Sequence, residues 1–251
     1  MSTIGLYGLL IFAGFSCQVD NIQPQNNFVA DFYGNVSTLE LIVGYEENAE
    51  PYTSFNNKNA WDIVSDNLAQ LLAGRNISFS IPRELPEMTY LGTLGQQNYT
   101  NNDLQNLAND IQKYTNLEPQ KGLVVLFLDG YFTKDGEVLD KVLGLNINGT
   151  AIIALFKPVI KSASPSFTLR TLVEQTTLTH EIGHALGLVN NGVTLRSAHH
   201  DEENGAHCTN NDCVMYWSNG GGNVVEFVQP YLSRGKIDLF GEECLTDVRE
   251  F

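Results

Sequence analysis

The stretch His180-Glu181-Ile182-Gly183-His184 narrows the fold of this chain more than any other. It ends a run from Thr168 to Ile182 that contains neither Pro nor Gly. Leu172, Val173, Ile182, Ala185 and Leu186 supply apolar positions, so the run reads as a helix. On a helix, residues i and i+4 lie on one face, about one turn apart. Two imidazoles so placed bind one zinc ion, and the glutamate between them reaches a water beside it. All five histidines lie between His180 and His207. The plainer reading is a buried helix with two satisfied histidines. The residues beyond the motif favour a metal.

Gly187 comes three residues after His184. A glycine there ends a helix in the left-handed conformation and turns the chain sharply. A zinc site needs a third ligand from outside the helix, and such a turn sends the chain back toward it. Farther on come His207-Cys208, four residues, Cys213, one residue and Met215. Here the sequence resembles the metzincin zinc peptidases, whose signature is H-E-x-x-H-x-x-G-x-x-H with a later methionine-containing turn. The second segment resembles the H-C-x4-C-x-M stretch of archaemetzincins. The resemblance spans Thr168 to Trp217.

The resemblance implies an α/β (α+β) metzincin-like domain: a mixed twisted sheet with two long helices, then an irregular C-terminal subdomain. On this sequence the single domain is 36–251, with an upper part 36–187 and a lower part 188–251. The implied activity is zinc-dependent endopeptidase, with Glu181 as general base and Met215 packed under the metal. In some metzincins a tyrosine near the turn assists the reaction, which makes Tyr216 a second catalytic candidate. Packing against the pocket wall, with Trp217, is its plainer role.

One position departs from the pattern. The third histidine of the signature falls on Asn190, and a carboxamide is a poor zinc ligand beside imidazole or carboxylate. His199, His200, Asp201 and His207 are better candidates. His207 keeps the family's spacing to Cys208, Cys213 and Met215, so the resemblance implies His180, His184 and His207 as the metal ligands. Asn190 to Ala206 is then an insertion, and His199 and His200 within it should face solvent or lie behind the ligands. Lengthening a loop about fourfold costs on the order of 1.2 kcal/mol, roughly a tenth of what a structural zinc contributes.

The chain carries 29 acidic residues against 14 basic, a formal charge of −15 over 251 residues. That disfavours nucleic acid, which needs a basic surface. The expected partner is a peptide or protein substrate of a monomeric enzyme. Ile4 to Phe15 is an apolar run too short to span a bilayer and suited to a signal peptide. Cys17 follows it as in a lipoprotein leader (1–17), although no Lys or Arg precedes Lys58. An exported protein is expected, secreted or held at the membrane only by a lipid on Cys17, with 18–35 as a polar tether. Cys208, Cys213 and Cys244 then remain: one disulfide plus a free thiol, or a thiolate site. Archaemetzincins complete a four-cysteine zinc site with two later cysteines, whereas here only Cys244 follows. A disulfide is therefore expected, between Cys208 and Cys213 or from either to Cys244.

Elsewhere Leu39–Tyr45, Ile77–Ile81 and the wholly apolar Leu123–Leu128 read as strands. Leu143–Phe156 reads as a hairpin turning at Asn148-Gly149. Trp61–Leu72, Asn102–Tyr114 and Val224–Leu232 read as helices, and Pro158 and Pro165 frame a loop. The acidic group Asp201, Glu202, Glu203 and Asp212 reads as a solvated loop. Two other functions suit the motif: a non-catalytic, zinc-stabilised surface binding module, or a zinc amidase acting on a non-protein substrate.

Overall fold

A computed structural model of the protein describes residues 28–115, 121–220 and 223–251. The expected leader, Cys17 and positions 18–27 of the tether lie outside them. In chain order, helix α1 (Phe28–Asn35) and strand β1 (Thr38–Tyr45) precede a small hairpin, β2 (Ser54–Phe55) and β3 (Lys58–Asn59). Helix α2 (Asp62–Leu71), strands β4 (Ser78–Ser80), β5 (Thr89–Tyr90) and β6 (Asn98–Tyr99), and helix α3 (Asn101–Thr115) follow. Then come β7 (Gly122–Leu128), β8 (Tyr131–Lys134), β9 (Glu137–Leu139), β10 (Gly144–Asn146) and β11 (Ile152–Phe156). Helices α4 (Lys157–Ala163), α5 (Phe167–Ala185), α6 (Val224–Val228) and α7 (Glu242–Arg249) complete the order.

The main sheet runs β10-β11-β7-β1-β4, with β5 also paired to β1. Strands β4, β5 and β7 pair parallel with β1, and β11 pairs parallel with β7. Only β10 runs antiparallel, so the fold is mixed α/β. Every residue of β7 is buried, as a central strand covered on both faces requires. Helix α3 packs on β7 and β11, and α5 packs on β10 and β11. The edge strand β10 approaches α5 closely, because Gly144 carries no side chain. A Cβ there would stand 2.8 Å from Thr177 Cγ2 and 3.4 Å from Glu181 Cγ.

Two expectations give way. Phe28–Asn35 is helix, not tether: Phe28 and Phe32, one turn apart, are both buried and stack at 5.9 Å. Tyr33 donates to the Leu186 carbonyl at 3.2 Å, so α1 is seated on the end of α5. Nor do Pro158 and Pro165 frame a loop. Pro158 occupies the first turn of α4, where its fixed φ suits the helix and its missing N–H would have no partner anyway.

A buried ion pair joins α4 to α5. Lys157 Nζ bonds Glu174 Oε2, and both side chains are closed to solvent. The ammonium lies 3.4 Å from the centre of the Tyr52 ring, and the Tyr52 N–H donates to Glu174 Oε1 at 2.7 Å. Burial pushes the Lys157 pKa down and the Glu174 pKa up, each opposed by the partner's charge. Lys157→Met alone leaves a buried carboxylate unpaired and should cost about 3–5 kcal/mol. Adding Glu174→Leu should recover most of that. Urea unfolding of both variants checks it; a double variant no more stable than the single one contradicts the pairing.

Candidate metal centre

Helix α5 begins where Ser166 Oγ accepts the Leu169 N–H at 3.3 Å. It ends in a Schellman turn. Gly187 takes φ +84°, its N–H donates to the His184 carbonyl, and the Leu188 N–H donates to the Gly183 carbonyl, each at 3.0 Å. That is the glycine stop expected from the sequence, with its bonds running from C′ to C2 and from C″ to C3. Beyond it the chain turns away: Asn190 sits at φ +63° and is exposed. Asn190 therefore takes no part in the buried cluster formed by the histidines.

His207 does. The side-chain nitrogens of His180, His184 and His207 converge within 4.8 Å of one another, and all three residues are buried. His180 Nε2 and His184 Nε2 are 3.0 Å apart. A tetrahedral zinc bound at about 2.0–2.1 Å would space its nitrogen ligands roughly 3.3 Å apart. The His180 Nδ1–H donates to the Val214 carbonyl, and the His207 Nδ1–H to the Asn204 carbonyl, each at 2.6 Å. Those bonds fix the tautomer and leave Nε2 with its lone pair toward the centre. His207 Nε2 has no hydrogen-bond partner among the described residues. His180 and His207 thus aim unprotonated nitrogens into one buried space that His184 also faces, so the donor set fits a metal. Burial pushes the His180 pKa down to about 3 and lowers those of His184 and His207. All three imidazoles are thus neutral at neutral pH, as ligands must be.

Glu181 lies on the same helix, fully buried. Neither carboxylate oxygen has a hydrogen-bond partner among the described residues. Burial raises its pKa to about 8, and the Asn146 backbone N–H, outside good hydrogen-bond geometry, offsets a small part of that. Met215 lies against α5 at Gly183, where a Cβ would stand 2.4 Å from its Sδ. A mid-helix glycine costs about 0.5–1 kcal/mol relative to alanine, and here it makes room for the methionine. Tyr216 is half-buried, with its ring 6.0 Å from that of Trp217.

The remaining histidines and the cysteines depart from expectation. His199 neither faces solvent nor backs the three ligands; it is buried against Cys208 and Asp247. His200 is half-buried and its Nε2–H donates to the Gly205 carbonyl at 2.8 Å. Cys208, Cys213 and Cys244 are buried free thiols, with no disulfide among them. The sulfurs of Cys213 and Cys244 are 3.6 Å apart, against about 2.05 Å in a bond. Only spacing to a partner could have exposed His199 in the sequence, and Asp247 lies far beyond any local pattern. Among the described residues no helix is long and apolar enough to cross a membrane. Compared with known proteins, the chain matches no family model and no curated protein sequence.

Proposed function

We propose that the chain is a zinc-dependent peptidase in which His180, His184 and His207 hold the metal and Glu181 moves the proton. The observation that carries this reading is the Glu181 carboxylate, buried without a partner beside three converging imidazoles. An unpaired buried acceptor costs about 1–3 kcal/mol, and a purely structural site has no use for one. Three protein ligands rather than four is also the count of catalytic zinc sites. When bound, zinc supplies Lewis acidity that acidifies water and polarises a carbonyl. Glu181 takes the proton from the attacking water and delivers it to the departing amine. Met215 and Leu188 pack against α5 at Gly183, and the bonds of His180 and His207 to backbone carbonyls hold the rings in place.

One observation favours a second reading, a zinc-stabilised module without catalysis. The site is nearly closed: His184, its most open residue, is 6% exposed. A peptide reaches Glu181 only when the covering chain moves. Incubating the zinc-loaded protein with a broad peptide library separates the two. Cleavage that a chelator abolishes is expected. Zinc bound near one equivalent at the three histidines, with no peptide cut, would favour the binding module.

A further inference from the structure

Cys208, Cys213, Cys244 and His199 converge from separated segments of the lower region. The ligand atoms of His199, Cys208 and Cys244 lie within 4.8 Å of one another, and Cys213 Sγ is 3.6 Å from Cys244 Sγ. His199 Nδ1 is 3.3 Å from Cys208 Sγ. All four residues are buried. We propose that these four side chains form a second metal centre, a closed tetrahedral three-cysteine, one-histidine zinc site. It goes beyond the proposed hydrolase and does not depend on it.

The distances decide between a metal and a disulfide. Zinc–sulfur bonds of about 2.3 Å in a tetrahedron space the sulfurs roughly 3.8 Å apart, which 3.6 Å matches. A disulfide would engage two thiols and leave the third buried against an imidazole. The ring of His199 is held for ligation. Its Nε2–H donates to Asp247 Oδ2 at 2.7 Å, which turns Nδ1 toward the sulfurs. Asp247 is itself fixed, since Oδ1 accepts the Arg196 N–H at 2.7 Å. A carboxylate behind a histidine is the usual support of a metal-bound imidazole. Two backbone N–H groups point at sulfur: Asn210 at Cys208 (3.4 Å) and Gly241 at Cys213 (3.1 Å). Such donors stabilise thiolate charge. Zinc is the cation that prefers three soft thiolates and one imidazole in this geometry, and its binding displaces the thiol protons to solvent.

His199 makes this site particular to the chain. It lies in the segment Asn190–Ala206, between the glycine turn and His207, and supplies the fourth ligand beside Cys208, Cys213 and Cys244. The site would therefore tie that segment to α7, which carries Cys244 and Asp247. It would also steady the first centre. Cys208 directly follows His207, and its N–H donates to the Met215 carbonyl at 2.8 Å. Val214, between Cys213 and Met215, accepts from His180.

Metal analysis and cobalt spectroscopy on the full chain test this. The wild type should bind about two equivalents of zinc, and the cobalt-loaded protein should show an intense sulfur-to-metal charge-transfer band. His184→Ala, which touches only the histidine cluster, should keep that band. Cys244→Ser should lose it, and Cys244→His, which restores a ligand, should recover the second equivalent. Because Cys244→Ser could misfold, the band in the wild type and in His184→Ala decides the matter without it. Cobalt-loaded wild type without the band, or a Cys213–Cys244 disulfide in protein purified with zinc and without oxidant, would overturn the proposal. Neither result bears on whether Glu181 supports hydrolysis.

Discussion

Glu181→Gln lowers peptide hydrolysis by about 10²–10⁴-fold, the usual contribution of a general base, and leaves zinc bound. Glutamine keeps the volume of the side chain and removes only its ability to accept a proton. The three imidazoles that would hold the metal are untouched. Nor should the fold suffer. The wild-type carboxylate is buried with no partner among the described residues, so the neutral amide replaces a group that is itself costly to bury. A residue that burdens stability yet stands beside three converging imidazoles has the marks of a functional group. The measurements are steady-state cleavage of the best library peptide, zinc content and thermal midpoint. Turnover within a few-fold of wild type, with zinc content unchanged, rules out Glu181 as the base.

How much the sequence disclosed depends on how each element is held. Leu123–Leu128 is apolar at every position because β7 is covered on both faces, and no other structure suits such a short run so well. Asn148-Gly149 marked its hairpin through a residue that must go left-handed; Gly149 sits at φ +73°. Helices α1 and α7 are less legible. Each is eight residues long, buried along one narrow stripe, and embedded in polar sequence. The signal in α1 was Phe28 and Phe32, and in α7 Cys244 and Val248, single i, i+4 pairs that periodicity alone does not separate from chance. In the candidate site, His180, Glu181 and His184 were legible because one helix turn carries them. His207 was legible only through the resemblance of its spacing to Cys208, Cys213 and Met215 to that of archaemetzincins. His199 was not, because its partners, Cys208 and Asp247, are brought to it by tertiary packing. The three cysteines that follow His207, an odd number, were the only trace of it. Three thiols with no fourth cysteine after position 207 call for a ligand of another kind.

His207→Ala weakens zinc binding at the histidine cluster by more than the about 10–100-fold that accompanies loss of a group hydrogen-bonded to a ligand. Asn190→Ala leaves it within a few-fold of wild type. The contrast comes from geometry as well as chemistry. Asn190 is exposed beyond the glycine turn, while His207 is buried with its ring stacked 5.3 Å from that of His180. Its Nε2 is an unpaired buried nitrogen, and its Nδ1 is tied to the Asn204 carbonyl. Alanine removes the third lone pair and leaves two imidazoles, one turn apart on α5, to hold the cation alone. His200→Ala serves as the control within the same segment, since its ring bonds the Gly205 carbonyl instead. Competition against a chromophoric chelator, with the wild type as parent, reads the histidine cluster, because the cysteine cluster is the same in every variant. Should His207→Ala bind zinc there as tightly as its parent while Asn190→Ala or His200→Ala does not, the third ligand lies elsewhere.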